Sequence, residues 1–406
     1  MTFAYRNQPW KALYLATRTA VLLFQLPFYA IIYIYPGARP RRTWSIGRSL
    51  VIFAFRAFID VLYNTSPTLI GSVRPVEQMT QKEIEEAVEY GFVWVDGAPE
   101  FVTGEIKDAA LLNEVSPARI SGYWYGKRDP YGKAGQRALP NEKVIYHFHG
   151  GGFSGTGHPS NIPGKTMFEG LMQFIPGEPR VFALEYRLSS TTPFAKANPF
   201  PAALLDAIAG YRYLIHDIGF LPSNIIISGD SAGGLLAFWL AQYISTAKYP
   251  DLPNAGGLLL LSPTVDWANT QTGSSSSMVQ NKDTDFVDKV LRSGYPCRAL
   301  LGKISEDEVY QNEWIAPGSI HLCHKPGKHA RLPKTCIVAG GAEQTLDSMV
   351  TLANRLAYDM GHEKVTFLEA KEGTHDFLLF PLFEFEKIDT LKKIKKWAEE
   401  QIWPTV

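Results

Sequence analysis

The chain has 406 residues, more than the ~100–200 of a usual domain, although one large α/β domain with insertions would accommodate them. Its hydrophobic fraction of 46% and charged fraction of 20% are those of a globular protein and exclude extended disorder or a collagen-like chain. Because 40 basic residues balance 40 acidic ones, the chain has no basic field for a nucleic-acid backbone, and no nucleic-acid partner is expected. Three cysteines are too few for a disulfide scaffold.

An apolar run near the N-terminus is the first feature along the chain. No formal charge occurs between Arg18 and Arg39, and this length matches the ~20 apolar residues that cross the hydrocarbon core of a bilayer. Tyrosines and arginines at its end suit a membrane interface, whereas Pro27 in the middle argues against a simple span. We predict that residues 19–35 hold the protein on a membrane, with the endoplasmic reticulum expected, as a spanning helix or a shallow hairpin. The alternative is an apolar cap over a functional pocket.

A second helix is predicted directly after this run. Residues 49–63 have the apolar spacing of a helix, and Arg56 and Asp60 stand four residues apart, as in a helical ion pair. We expect this helix to be buried or to lie on a membrane surface. Residues 1–90 are therefore predicted to be a hydrophobic anchor or cap segment, and residues 91–406 the main domain.

From about residue 90 the chain alternates strands with helices. Short, continuous apolar runs favour central strands of a parallel sheet that is covered on both faces. They occur at 144–149, 181–186, 224–229, 257–262 and 335–340. Helical patterns lie between them at 202–215, 233–243 and 346–360, and one more amphipathic helix ends the chain. This alternation predicts an α/β fold with right-handed crossovers.

A Gly-x-Ser-x-Gly motif at 229–233 directly follows one predicted strand and opens a helix. A serine on so sharp a turn needs small neighbours, which Gly229 and Gly233 provide, and the N-terminus of the helix favours developing negative charge. Ser231 is therefore predicted to be a catalytic nucleophile. The alternative, a glycine-rich turn with an incidental serine, is disfavoured by the strand–helix context.

Three successive glycines follow the predicted strand at 144–149. They leave backbone N–H groups uncovered, as an oxyanion hole requires. We predict that the N–H groups of Gly151, Gly152 and Ala232 stabilise an oxyanion. His149, which precedes the glycines, is expected to orient the loop by hydrogen bonding.

Four motifs together resemble the hormone-sensitive lipase family of α/β-hydrolases: HGGGF at 149–153, YRLSS at 186–190, GDSAGG at 229–234 and GTHDF at 373–377. The resemblance covers about residues 140–380. It implies an α/β-hydrolase fold with a mostly parallel central sheet, helices on both faces and a helical cap. It also implies a serine carboxylesterase.

The same resemblance supplies the other catalytic residues, in the chain order serine, acid, histidine. The family keeps a histidine before a similar x-Phe, so His375 is predicted to be the base; His158, the nearest rival, precedes the nucleophile. In the loop where the family places its acid, Glu343 aligns with the first aspartate and Asp347 with the second. We favour Glu343, because a glutamate can accept the histidine N–H as an aspartate does, and keep Asp347 as the alternative.

These residues predict two-step acyl transfer that needs no metal or organic cofactor. The apolar N-terminal segments indicate a lipophilic substrate. We predict a membrane-associated carboxylesterase or deacetylase that removes a short acyl group from a lipophilic alcohol. An amidase or lactonase with the same triad, and a non-catalytic ligand-binding protein on this fold, are the alternatives; the oligomeric state stays open.

Residues 266–332 are predicted to be an insertion between two strands that covers the pocket. The insertion contains HLCHKPGKH at 321–329, whose three histidines and one cysteine could suit zinc. The tight spacing and the lack of a second ligand pair favour a loop without metal.

Overall fold

The computed structural model describes residues 2–66, 79–154 and 162–404. Its strands are β1 (Phe92–Val95), β2 (Ile120–Tyr125), β3 (Val144–Phe148), β4 (Arg180–Glu185), β5 (Ile225–Asp230), β6 (Gly257–Leu261), β7 (Lys334–Gly340) and β8 (Val365–Ala370). They form one sheet in the order β1-β2-β4-β3-β5-β6-β7-β8. The pairs β1–β2 and β2–β4 are antiparallel, and the other neighbours are parallel. The strand β5 therefore lies inside the parallel part.

Helices cover both faces of this sheet. They are α1 (Trp10–Ile32), α2 (Ile46–Thr65), α3 (Gln81–Glu89), α4 (Gly104–Leu112), α5 (Ile162–Phe174), α6 (Ala202–Arg212), α7 (Ala232–Ala247), α8 (Ser277–Gln280), α9 (Asp288–Arg292), α10 (Tyr295–Leu301), α11 (Leu346–Met360) and α12 (Glu384–Trp397). Alternate residues of β3 show the two layers: Tyr146 belongs to a core cluster with α6 and α7, and Ile145 to another with α5 and α12.

The predicted parallel strands are confirmed. Each of the five apolar runs is a strand, β3 to β7, within one residue at either end. All residues of β3 and β5 are buried, which explains why apolar residues occupy consecutive positions in both strands instead of alternating ones. The antiparallel strands β1 and β2 were not among the predictions; β2 includes Ser121 and Gly122 and lacks a continuous apolar run. The α/β-hydrolase fold is the observed architecture.

The first two helices form an antiparallel hairpin. The helix α1 has 23 residues and, among the residues the structure describes, it alone is long and apolar enough to cross a membrane. It begins earlier than the predicted run 19–35 and ends at Ile32, and it contains Pro27. The predicted pair of Arg56 with Asp60 is wrong: Arg56 pairs with Asp283 at 2.9 Å, and Asp60 lies 3.5 Å from Arg18. Because α2 packs between α1 and the rest of the protein, tertiary partners replace the local one.

The segment between α1 and α2 packs against the C-terminal part of the chain. Trp44 is fully buried, its ring contacts Phe383, and its indole N–H donates to the carbonyl of Glu372. Arg48 at the start of α2 pairs with Glu386 of α12 at 2.8 Å. The N-terminal segment thus contributes to the core at residues well before 90.

Replacing Trp44 tests this packing. We expect Trp44→Ala to lower the free energy of unfolding by about 3–5 kcal/mol, the usual cost of truncating a buried aromatic side chain. Trp10, which is 62% exposed, provides the matched control, and Trp10→Ala should change the free energy by less than about 0.5 kcal/mol. Urea unfolding followed by circular dichroism measures both, and equal effects would contradict the docking of this segment.

Candidate active site

Ser231 stands on the turn between β5 and α7. Its backbone has φ 52° and ψ −117°, a strained conformation for a residue with a side chain. Such a turn requires close contact with the neighbouring backbone: a Cβ at Gly233 would lie 2.1 Å from the carbonyl oxygen of Phe148 at the end of β3. The N–H of Ser231 donates to Leu261 of the neighbouring strand β6, which fixes the turn to the sheet. The side chain is thereby presented at the carboxyl end of the sheet.

Three of the predicted site residues are joined in one chain of hydrogen bonds. The Nε2 of His375 lies 2.8 Å from the Oγ of Ser231, and its Nδ1 lies 3.0 Å from the Oε2 of Glu343. Glu343 follows β7 and His375 follows β8, so the carboxyl ends of β5, β7 and β8 bring the three side chains together. Glu343 and His375 are almost completely buried, and Ser231 is 7% exposed.

Asp347 lies elsewhere. It is in the first turn of α11, where its Oδ2 accepts from the backbone N–H of Ser277 at 2.8 Å, and its own N–H donates to the hydroxyl of Ser277 at 3.0 Å. This geometry makes Asp347 a link between α11 and the insertion. Its carboxylate is occupied away from His375.

Hydroxyl groups that the sequence analysis did not identify surround the three residues. Ser262 donates to the Oε1 of Glu343 at 2.6 Å, and Thr345 donates to its Oε2 at 3.1 Å. The hydroxyl of Thr264 lies 3.3 Å from that of Ser231. Ser262 and Thr264 follow β6, and Thr345 lies between β7 and α11. None of them belongs to a sequence motif, so only their position after a strand could have indicated a role in the site.

The glycine loop after β3 lies against the turn that carries Ser231. A Cβ at Gly150 would lie 3.1 Å from the Cβ of Ser231 and 2.4 Å from a carboxylate oxygen of Asp230, so only glycine fits there. No residue in the described ranges accepts a hydrogen bond from the backbone N–H groups of Gly151, Gly152 or Ala232. These three N–H groups are therefore available as hydrogen-bond donors beside Ser231.

His149 contacts the same loop. Its Nδ1 lies 2.9 Å from the carbonyl oxygen of Gly150, and its ring stacks on Tyr186 with centroids 4.3 Å apart. The hydroxyl of Tyr186 donates to the carbonyl of His149. These contacts agree with the orienting role expected of His149. His158 lies outside the described residues.

A second Ser–His–Asp group lies beneath the turn. The Nε2 of His147 lies 2.9 Å from Asp230, and its Nδ1 lies 3.4 Å from Ser228. His147 and Ser228 are completely buried and cannot meet a substrate. The other carboxylate oxygen of Asp230 accepts from the N–H of Gly150 at 2.9 Å. Asp230 therefore ties the glycine loop to the strand that carries Ser231.

Two further buried carboxyl groups flank His375. The Oδ2 of Asp376 lies 3.4 Å from Nε2 of His375, and burial raises the pKa of the Asp376 carboxyl well above its usual range. Burial also raises the pKa of Asp285 to about 6. For His375 itself burial acts to lower the pKa, but the carboxyl groups of Asp376, Glu343 and Asp285 outweigh it and raise the pKa above 6.5. Because Asp376 and His375 are this close, they titrate as one pair.

The insertion and the N-terminal helices border this site. Phe286 packs edge-on against the ring of His375, with centroids 5.7 Å apart. It also lines a cavity of about 330 Å³ that lies between α1, α2 and α9. Arg41, after α1, donates to the carbonyl oxygens of Gly341 and Lys371 on the loops that carry Glu343 and His375. The N-terminal segment is thus in contact with both loops.

The histidine-rich stretch of the insertion forms a separate cluster. His324 and His329 lie 3.1 and 3.0 Å from the two carboxylate oxygens of Asp359 in α11. The same oxygens accept the backbone N–H groups of Gly327 and His329. Asp359 was not predicted, since nothing in the sequence places it beside this stretch. Two histidines and a carboxylate could bind a metal ion, but here they fasten the loop to α11.

Comparisons with known proteins agree with this architecture. The family model described as the alpha/beta hydrolase fold matches residues 145–379, more than half of the chain. Esterase LipU of Mycobacterium tuberculosis is 27% identical over 264 residues, which cover 64% of this chain and 78% of that protein. Carboxylesterase NlhH of the same organism is 26% identical over 190 residues, 46% of this chain, and this chain spans only 54% of its length.

Solved structures share the fold. An esterase from Pseudomonas putida is similar with a TM-score of 0.57 at 15% identity, covering 86% of this chain and 96% of that one. A hormone-sensitive lipase from a metagenome library has a TM-score of 0.51 at 24% identity, covering 80% of this chain and 95% of that one. The predicted resemblance and the predicted class of serine hydrolase are confirmed, and this chain belongs to the α/β-hydrolase family.

Proposed function

We propose that this hydrolase is a serine carboxylesterase or deacetylase that cleaves short acyl esters of a lipophilic alcohol. The observation that carries the proposal is the hydrogen-bond chain from Ser231 through His375 to Glu343. It lies beside a glycine loop in which the N–H groups of Gly151 and Gly152 have no acceptor among the described residues. The names of similar proteins, Esterase LipU and Carboxylesterase NlhH, support ester bonds as the substrate class.

In this proposal Ser231 is the nucleophile. His375 accepts its proton through Nε2 as the hydroxyl oxygen attacks the ester carbonyl, and Glu343 stabilises the imidazolium that forms by accepting its Nδ1–H. The 2.8 Å between Ser231 and His375 supports direct proton transfer without a bridging water. The 3.0 Å between His375 and Glu343 supports a hydrogen bond that orients the base. Thr264 and Ser262 act through Ser231 and Glu343 as positioning residues.

Backbone N–H groups stabilise the negative charge that develops on the carbonyl oxygen. We assign the oxyanion hole to the N–H groups of Gly151, Gly152 and Ala232, the last of which also lies at the N-terminus of α7. His375 then returns its proton to the leaving alcohol. Water, deprotonated by the same histidine, hydrolyses the acyl-enzyme, and Ser231 is restored.

A lipophilic alcohol is supported by the apolar surface of α1 and by the aromatic ring of Phe286, which packs against His375. An amidase or lactonase would use the same residues, and nothing in the geometry favours either. A non-catalytic binding protein is disfavoured because the serine, the base and the acid are within hydrogen-bond distance of one another.

Membrane association through α1 belongs to the same proposal. Residence in the endoplasmic reticulum stays a prediction. The division into an N-terminal segment over 1–90 and a catalytic domain over 91–406, with 266–332 as its cap, is likewise proposed; Phe286 beside His375 supports the cap.

Labelling and ester hydrolysis test the activity directly. The wild-type protein should react with a fluorophosphonate probe and hydrolyse p-nitrophenyl acetate, and Ser231→Ala should lose both, because the probe and the ester need the same oxygen. Across p-nitrophenyl esters of increasing acyl length, kcat/KM should be highest for short chains. An intact wild-type protein that never reacts with the probe would support the non-catalytic alternative, and a maximum at long chains would refute the short-acyl assignment.

The identity of the acid is tested by two isosteric changes. Glu343→Gln should lower kcat by about 10⁴-fold, as expected when the carboxylate that orients the base and stabilises its imidazolium becomes an amide. Asp347→Asn is the matched control and should lower kcat by less than about tenfold, because its carboxylate binds Ser277 and not His375. If Asp347→Asn proved the more damaging change, the assignment of the acid would be wrong.

The carboxyl groups around His375 predict an unusual pH profile. The base must be neutral to accept the serine proton, so a raised pKa of His375 moves the acid limb of kcat/KM to above pH 6.5. Asp376→Asn removes one of the neighbouring carboxyl groups that raise this pKa and should therefore move the limb to lower pH. Asp283→Asn, which alters a carboxylate paired with Arg56, should leave it in place. If Asp376→Asn left the acid limb of the kcat/KM profile at the same pH, or moved it to higher pH, the role of this carboxyl group would be contradicted.

A further inference from the structure

The outward face of α1 is apolar apart from Thr17 and Thr19. It is made of Trp10, Leu13, Val21, Leu23, Phe24, Phe28 and Ile31, each between 38% and 78% exposed. The two charged residues of the helix, Lys11 and Arg18, are half-buried on the opposite face. A water-exposed helix normally carries its charges outward, so this arrangement requires an apolar partner.

The opposite face is fastened to the protein along its length. The hydroxyl of Tyr14 and the guanidinium of Arg18 both contact Asp60 of α2. Near the other end, the ring of Tyr29 lies 4.5 Å from that of Phe53. Because α2 itself packs on the catalytic domain through Ile52 and Leu62, α1 is a layer on the body of the enzyme and not a projection from it.

Both ends of α1 are also held on the same body. Before the helix, Phe3 is fully buried against Tyr63 and Tyr295, and its N–H donates to the carbonyl of Tyr63. After the helix, Tyr33 is buried, and Arg39 donates to its carbonyl oxygen at 2.7 Å. A spanning helix would place these two ends on opposite sides of a hydrocarbon core of about 30 Å, which a single water-soluble body cannot reach.

We propose that α1 binds a lipid bilayer in the plane of its surface, with the apolar face in the acyl region and the axis parallel to the membrane. This inference rests on the membrane association in the proposed function and specifies its mode. Among the outward residues of α1 the polar ones are Thr17 and Thr19, and the hydroxyl of Thr17 donates to Leu13. A protein partner would demand about one hydrogen bond per 100–200 Å² of interface, which this face cannot supply. Lipid requires none.

Binding is tested with the full-length enzyme and phosphatidylcholine vesicles. The double variant Phe24→Asp/Phe28→Asp should weaken vesicle partitioning by about tenfold or more, since each ring loses its apolar environment and a charge replaces it. Phe385, 82% exposed on α12, provides the control, and Phe385→Asp should partition as the wild type does. Wild-type protein that remains in solution with the vesicles, or a dimer that the double variant dissociates, would overturn the proposal in favour of a protein partner.

The mode is tested by cysteine accessibility on sealed vesicles from expressing cells. In a Cys323→Ser background, Gln8→Cys and Gly37→Cys mark the two ends of α1. In-plane binding predicts that an impermeant maleimide labels both from the same side, and alkaline carbonate should release the enzyme. Labelling of the two ends from opposite sides, with retention in carbonate, would overturn it. Hydrolysis of soluble p-nitrophenyl acetate is measured in parallel. If the esterase proposal fails, the enzyme shows no turnover; if the membrane proposal fails, the double variant partitions into vesicles as the wild type does.

Discussion

The hydrogen bond between Glu343 and His375 joins the loops that follow β7 and β8. Much of the neighbouring structure holds these two loops in fixed positions relative to each other. Both oxygens of the carboxylate are held, Oε1 by Ser262 and the N–H of Gly340, Oε2 by Thr345 and His375. A carboxylate fixed in this way offers His375 a single orientation and leaves its other nitrogen facing Ser231. The parallel pairing of β6, β7 and β8 provides the rigid frame on which these loops stand.

Burying several carboxyl groups around one histidine is costly unless donors compensate each charge. Asp285 meets this requirement through the backbone N–H groups of Phe286 and Gln344. Asp376 does not: its Oδ1 has no hydrogen-bond partner within the described part of the chain, in line with its raised pKa. This carboxyl group lies 3.4 Å from Nε2 of His375, so the protonation of each group affects the other. Local electrostatic instability of this kind is typical of sites that move protons.

The parallel strands and Ser231 could be predicted because their signals are local, whereas the predictions of His375 and Glu343 rest on the family resemblance. The strands β3 to β7 are buried on both faces and read as apolar runs, and Ser231 lies in a motif whose strand and helix flank it. The residues that were missed act across the fold: Ser262, Asp285 and Asp359 receive their roles from loops far away in sequence. The same reason explains the error at Arg56, where the partner at Asp283 is 227 residues away and replaces the neighbour four residues along the helix.

The contacts of Arg41 also constrain how the protein can be made. This side chain binds the carbonyl of Lys371, 330 residues later in the chain, so it cannot reach its final position until Lys371 has left the ribosome. Contacts of such sequence separation form slowly, because loop closure must precede them. Until then the side chain of Trp44 lacks its partners Glu372 and Phe383, so it is open to chaperones during synthesis. Trp44 is thus translated 328 residues before Glu372, whose carbonyl accepts its indole N–H.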